Sequence, residues 1–197
     1  MRTATLAKFL TLGIALGLSA QAAAPVPRPS KEFTIATPDG QQILLTSLKG
    51  KVSVIQFLFT WCPHCQAFSK VLTQLNTEYG PRGLRALGVA FDDNITKDMT
   101  AVYTKQYAGF PVGTSSRETV LSYLGISAME RMGVPQIVVI DRKGVIREQS
   151  PTEGGGPLGD PAHLRPLIES LLNEGTAAPA KGGSSSTKKT ATKKASE

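Results

Sequence analysis

Between Val52 and Phe59 the chain runs Val52-Ser53-Val54-Ile55-Gln56-Phe57-Leu58-Phe59, dense in apolar, β-branched and aromatic residues. A run so short and so apolar predicts a strand buried on both faces. The period then changes, because Phe68, Val71, Leu72 and Leu75 recur at helical spacing, and the helix they predict ends near Tyr79-Gly80-Pro81. Leu84 to Phe91 is a second apolar run and predicts a second core strand. Strand, helix and strand in this order imply a parallel crossover.

The same reading extends in both directions. Phe33-Thr34-Ile35 and Ile43-Leu44-Leu45 flank the turn sequence Pro38-Asp39-Gly40 and predict a small hairpin. Asp92-Asp93-Asn94 is expected to cap a helix over roughly Thr96 to Tyr107, closed by Gly109. Phe110-Pro111-Val112 predicts a short edge strand, and Arg117 to Leu124 a short helix. Gly133-Val134-Pro135-Gln136 opens the strand Ile137-Val138-Val139-Ile140, which Asp141-Arg142-Lys143-Gly144 turns into an antiparallel partner, Val145 to Glu148. Pro151 to Gly159, with four glycines, predicts a flexible loop. Asp160 begins a final helix whose Leu164, Leu167, Ile168, Leu171 and Leu172 make one face.

The junction of the first strand and first helix reads Trp61-Cys62-Pro63-His64-Cys65 and contains both cysteines of the chain. Cys62 falls at the helix N-cap, with Pro63 in the first turn, where a missing N–H costs nothing. Unpaired N–H groups and the positive end of the helix dipole stabilise a thiolate, the reactive form of cysteine, and a cationic His64 adds to this. Cys65, one turn further in, is expected to be the more buried, resolving thiol. Trp61 either paves the surface beside Cys62 or covers the core.

Composition bounds the setting. The 197 residues carry a formal charge of +7, yet residues 23–174 hold 15 basic and 14 acidic side chains, so the body is nearly neutral and nucleic-acid binding by it is not expected. Residues 1–22 have a basic start ending at Lys8, an apolar stretch from Phe9 to Leu18 and Ala20-Gln21-Ala22, the pattern of a cleaved signal peptide rather than a membrane anchor. A periplasmic or secreted location follows, where disulfides persist. Residues 23–31 read as an extended lead-in, 32–174 as one domain, and 175–197, rich in Lys, Ala and Ser, as a disordered tail whose lysines suit an anionic surface.

With the Cys62–Cys65 motif between strand and helix, and Val134-Pro135 before an Ile-Val-Val-Ile-Asp strand, residues 32–173 resemble the thioredoxin fold. More narrowly they resemble the extracytoplasmic TlpA/ResA-like branch, which is similar to the redoxin (AhpC/TSA) group. The resemblance implies an α/β fold, a central mixed sheet flanked by helices, with an N-terminal β-hairpin and an insertion between about 95 and 130. It also implies a redox-active Cys62–Cys65 disulfide, and a cis Pro135 beside the pair with the Val134 backbone offered to a substrate. The activity implied is protein-disulfide oxidoreductase, without cofactor or metal, acting on protein thiols and disulfides and on a redox partner protein. Three departures stand out. Gln56 occupies the place of the buried acid of thioredoxins, Pro63-His64 is the dipeptide of oxidising DsbA-like proteins, and Thr60 lacks the spacing of a peroxidatic site.

Two other functions compete with a TlpA-like reductase. A DsbA-like dithiol oxidase is favoured by Pro63-His64. A Cu(I)-binding metallochaperone would use Cys62 and Cys65 with His64 nearby, although the one further histidine, His163, lies far along the chain.

Overall fold

The computed structural model describes residues 24–174. The signal-peptide and tail expectations lie outside the described residues. The described chain forms an eight-stranded mixed sheet, β1 (Arg28–Pro29), β2 (Thr34–Ala36), β3 (Gln42–Leu44), β4 (Val52–Leu58), β5 (Leu84–Ala90), β6 (Val112–Thr114), β7 (Gln136–Ile140) and β8 (Val145–Gln149). Its helices are α1 (Pro63–Tyr79), α2 (Lys97–Tyr107), α3 (Arg117–Leu124) and α4 (Pro161–Asn173). The spatial order of the strands is β1-β8-β7-β4-β5-β6-β2-β3.

β4 is central, parallel to β5 and antiparallel to β7. Every residue of β4 is buried because both faces of the sheet are covered. Alternate side chains therefore serve different layers. Val52, Val54 and Leu58 join a core with Phe68, Leu72 and Leu75 of α1 and Leu164 and Ile168 of α4. Ile55 and Phe57 face the other way, packing with Phe33, Val120 and Leu124 in the layer that α3 closes.

Several expectations need correction. β6 is interior rather than an edge, because the β2–β3 hairpin docks beyond it through Ala36 opposite Thr114. Gly113 permits that approach, since a Cβ there would stand 2.5 Å from the Ala36 carbonyl oxygen. The lead-in is extended but not idle, because Arg28 and Pro29 pair with Ile146 and Val145 and so add a strand to the sheet. α2 is capped by Thr96, whose hydroxyl accepts from the Met99 N–H at 3.2 Å, and not by Asp92-Asp93-Asn94. The glycine-rich loop after β8 is tethered, closing in a 3-10 turn at Gly156–Gly159 that buries Leu158.

Candidate active site

The end of β4 and the start of α1 place the cysteines as the apolar run and helical period imply. Cys62 is the N-cap of α1 in extended conformation, Pro63 occupies the first turn, and the Cys65 N–H donates to the Cys62 sulfur at 3.4 Å. The free Cys62 thiol, 6% exposed, also reaches the Val134 carbonyl oxygen at 3.9 Å. Cys65 is fully buried, and burial pushes its thiol far above the ordinary cysteine range, with the neighbouring Cys62 side chain adding to the effect. Such a thiol stays protonated until its neighbour has reacted.

Val134-Pro135 is a cis peptide bond facing this pair. Two connections hold the segment against the glycine-rich loop. The Gly155 N–H donates to the Pro135 carbonyl at 2.8 Å, and the Gly133 N–H to the Thr152 carbonyl at 2.8 Å. The fully buried Gln136 amide adds donors to the carbonyls of Gly133, Pro151 and Thr152 at 2.9–3.1 Å. Sequence reasoning missed this clamp, although a polar residue at the first position of an apolar strand was a visible signal.

Grooves flank Cys62 on two sides. One, of about 420 Å³, is lined by His64, Phe68, Val71, Val134, Pro135 and the loop at Glu153–Gly155. The other, of about 370 Å³, runs between Trp61 and the α2 residues Met99, Val102 and Tyr107. Trp61 is 68% exposed and stacks on Phe59 with ring centroids 5.3 Å apart, so it paves the surface rather than covering the core.

Beneath the thiols the polar groups form a chain. The Gln56 amide donates to the Cys65 carbonyl at 2.9 Å, and its oxygen accepts from the Ser69 hydroxyl at 2.7 Å. Ser69 has then spent its only proton, so the Tyr103 hydroxyl, 2.8 Å away, donates to it. Gln56 is fully buried and its amide is satisfied at both ends, which a buried polar side chain requires. Tyr103 comes from the insertion helix α2, a partner the local sequence around the cysteines does not disclose. Asp92, read in the sequence as a cap, instead turns back from β5 and accepts from the Thr60 N–H at 2.8 and 3.0 Å and from the Thr60 hydroxyl at 3.2 Å.

Among the described residues no group of three or more His, Cys, Asp or Glu is arranged to hold a metal ion. His163 sits on α4 and pairs with Glu148 at 2.7 Å, remote in sequence and contacts from the cysteines.

A helix that presents one sulfur at its first turn, buries a second three residues on and faces both with a cis-proline serves one chemistry above others. The molecule is a thioredoxin-fold thiol–disulfide oxidoreductase of the TlpA/ResA-like type. The AhpC/TSA family model matches residues 26–149, and the chain belongs to that family. Over 125 residues it is 25% identical to thiol-disulfide oxidoreductase ResA of Bacillus anthracis, covering 63% of this chain and 68% of that protein. It is 27% identical over 120 residues to thioredoxin-like protein YneN of Bacillus subtilis, covering 59% and 66% respectively. The thiol:disulfide interchange protein of Chlorobium tepidum superposes with a TM-score of 0.60 at 25% identity, over 76% of this chain and 99% of that one. The thioredoxin domain of a thiol-disulfide oxidoreductase from Bacteroides vulgatus shares the fold, with a TM-score of 0.61 at 18% identity, over 76% of this chain and all of that domain.

Proposed function

We propose that the protein exchanges disulfides with extracytoplasmic protein partners through Cys62 and Cys65, working as a TlpA-like reductase whose poise is more oxidising than that of a thioredoxin. The observation that carries the roles is the asymmetry of the pair. Cys62 sits at the helix N-terminus, with its neighbours His64 and Trp61 each lining a surface groove, while Cys65 is sealed beneath it. Reduced Cys62 attacks the partner disulfide, a mixed disulfide forms, and Cys65 displaces the partner thiol to leave Cys62–Cys65 oxidised. The same steps reversed oxidise a dithiol.

Val134 and Pro135 form the wall on which a partner chain would lie, and Trp61, Pro63 and His64 shape the rim beside the reactive sulfur. The leader pattern at residues 1–22 supports an extracytoplasmic setting. No helix among the described residues is long and apolar enough to cross a membrane.

Cys65→Ser should accumulate a mixed disulfide with a protein partner, visible on non-reducing gels, whereas Cys62→Ser should form none. Faster alkylation of Cys65 than of Cys62 in the reduced protein would reverse the assignment. Direction is read by equilibrating the protein with glutathione buffers. His64 stands between the two cysteines in the first turn of α1, so His64→Ala should be the more reducing protein, and an equal potential would remove His64 from the tuning of the pair.

A further inference from the structure

Gln56 and Gln136 are the two fully buried glutamines among the described residues. Gln56 is hydrogen-bonded at both ends of its amide, to the Cys65 carbonyl and the Ser69 hydroxyl. Gln136 is satisfied at one end. Its nitrogen lies 3.0, 2.9 and 3.1 Å from the carbonyl oxygens of Gly133, Pro151 and Thr152, and its oxygen has no hydrogen-bond partner among the described residues. Turning the amide over would set that oxygen against three others, so the carbonyls fix which end faces them. A buried amide bonded at one end lowers stability, and local rules broken in this way gather at functional sites.

Satisfying the loop carbonyls does not require the amide. Pro151 and Thr152 already accept backbone N–H groups, from Gly154 at 2.9 Å and Gly133 at 2.8 Å. What the amide adds is a bridge, with one carbonyl on the segment before β7 and two on the loop after β8. The two stretches meet backbone to backbone, since a Cβ on Gly133 would stand 1.9 Å from the Glu153 carbonyl oxygen and one on Gly154 2.8 Å from the Gly133 carbonyl carbon. The Gly155 N–H closes the far side on the Pro135 carbonyl at 2.8 Å. Val134 stands between these anchors, its carbonyl oxygen 3.9 Å from the Cys62 sulfur.

We propose that Gln136 is the positioning residue that sets the Val134–Pro135 wall against Cys62, and that it thereby selects polypeptide disulfides over small ones. The proposal deepens the exchange reaction above and rests on its assignment of Cys62 as the attacking thiol. A small disulfide needs only the Cys62 sulfur. A polypeptide disulfide must also lie along Val134 and Pro135, in the groove that His64, Phe68, Val71 and the loop at Glu153–Gly155 complete. Shifting the wall relative to the sulfur disturbs the second reaction and spares the first, because the rate of a positioned reaction falls steeply with misplacement. Gln136 does not line that groove and acts through the carbonyls it holds.

The test compares two disulfides that release the same thiopyridone, in stopped flow with the reduced full chain. One is dithiodipyridine, and the other is an uncharged extended peptide whose single cysteine is in mixed disulfide with thiopyridine. With each, the first phase is bimolecular and reports attack by Cys62, so the ratio of the two rates cancels the intrinsic reactivity of that thiol. With dithiodipyridine a second, first-order phase reports resolution by Cys65. Gln136→Met keeps the side-chain length and removes the donor. Both of its phases with dithiodipyridine should stay within about twofold of the parent, and its attack on the peptide should slow about tenfold.

Should the methionine variant fail to fold, Gln136→Glu decides. Protonated, the new carboxyl donates to one of the three carbonyls, and ionised, it is repelled by all of them. Its preference for the peptide should therefore fall as pH rises, more steeply than that of the parent, whose Cys62 and whose His64 and Glu153 at the groove are unchanged in the variant. Equal slowing with both disulfides would make Gln136 a support of the fold alone and overturn the proposal. So would the parent preference retained in Gln136→Met, a Gln136→Glu ratio that follows the parent at every pH, or a parent that distinguishes the two disulfides no better than free glutathione does. Failure of the underlying exchange reading looks different, because Cys62→Ser would then react with both disulfides as fast as the parent.

Discussion

The two ends of the central strand make different uses of a buried aspartate. β7 runs antiparallel to β4 and pairs Ile140 with Ser53, so Asp141 stands at the opening end of β4. There it accepts from the amides of Lys143 at 2.8 Å and Val145 at 3.0 Å and from Arg147, closing the β7–β8 turn. β5 runs parallel and pairs Ala90 with Leu58, so Asp92 stands at the opposite end, beside the cysteines. One carboxylate is satisfied by two amides and a cation and fixes a turn. The other is hydrogen-bonded yet unneutralised, held by the amide and hydroxyl of Thr60 two residues before Cys62. Similar exposure at the two sites conceals this difference, which lies in the partners.

Substitutions at the two ends should separate them. The largest effect on stability belongs to Asp141→Ala, which strands two turn amides, leaves Arg147 only its pair with Glu174, and should lower the unfolding free energy by about 2 kcal/mol in denaturant titrations. Both phases of disulfide exchange should persist in the folded variant, and unchanged stability would erase the contrast between the sites. A smaller effect of opposite sign is expected from Asp92→Asn. Because the carboxyl is raised in the folded chain, the parent is fully stable where Asp92 is protonated in both states and loses stability as pH rises through the ordinary and then the raised value. Asp92→Asn should therefore unfold at higher denaturant than the parent at about pH 7 and match it at about pH 2. A difference constant across that range would show that ionisation of Asp92 carries no penalty.

Much of this was legible in the sequence because it rests on local periodicity. The apolar run at Val52 to Leu58, the helical spacing after Cys65 and the four-residue turn after Ile140 each encode their element within a few residues. What the sequence concealed depends on contacts distant along the chain. Val112–Thr114 has the length of an edge strand and becomes interior only because the hairpin from residues 34–44 docks on it. The glycines at 154–156 signal freedom, yet carbonyls and amides around Pro135 fix them. Gln56 was conspicuous as the wrong residue for an acid. Neither Tyr103, which reaches Gln56 through Ser69, nor the acid one strand over could be found without the fold.

The strand order also bears on behaviour in a crowded compartment. The two outermost strands are short, β1 with two residues ending in Pro29 and β3 with three. A free strand edge is a template for pairing with any extended polypeptide, and proline and brevity blunt it. The lead-in and the hairpin together cap both margins of an otherwise long, hydrophobic sheet. An exchange protein that handles extended polypeptide would meet just such chains, and the margins of this sheet would offer them little backbone on which to co-aggregate.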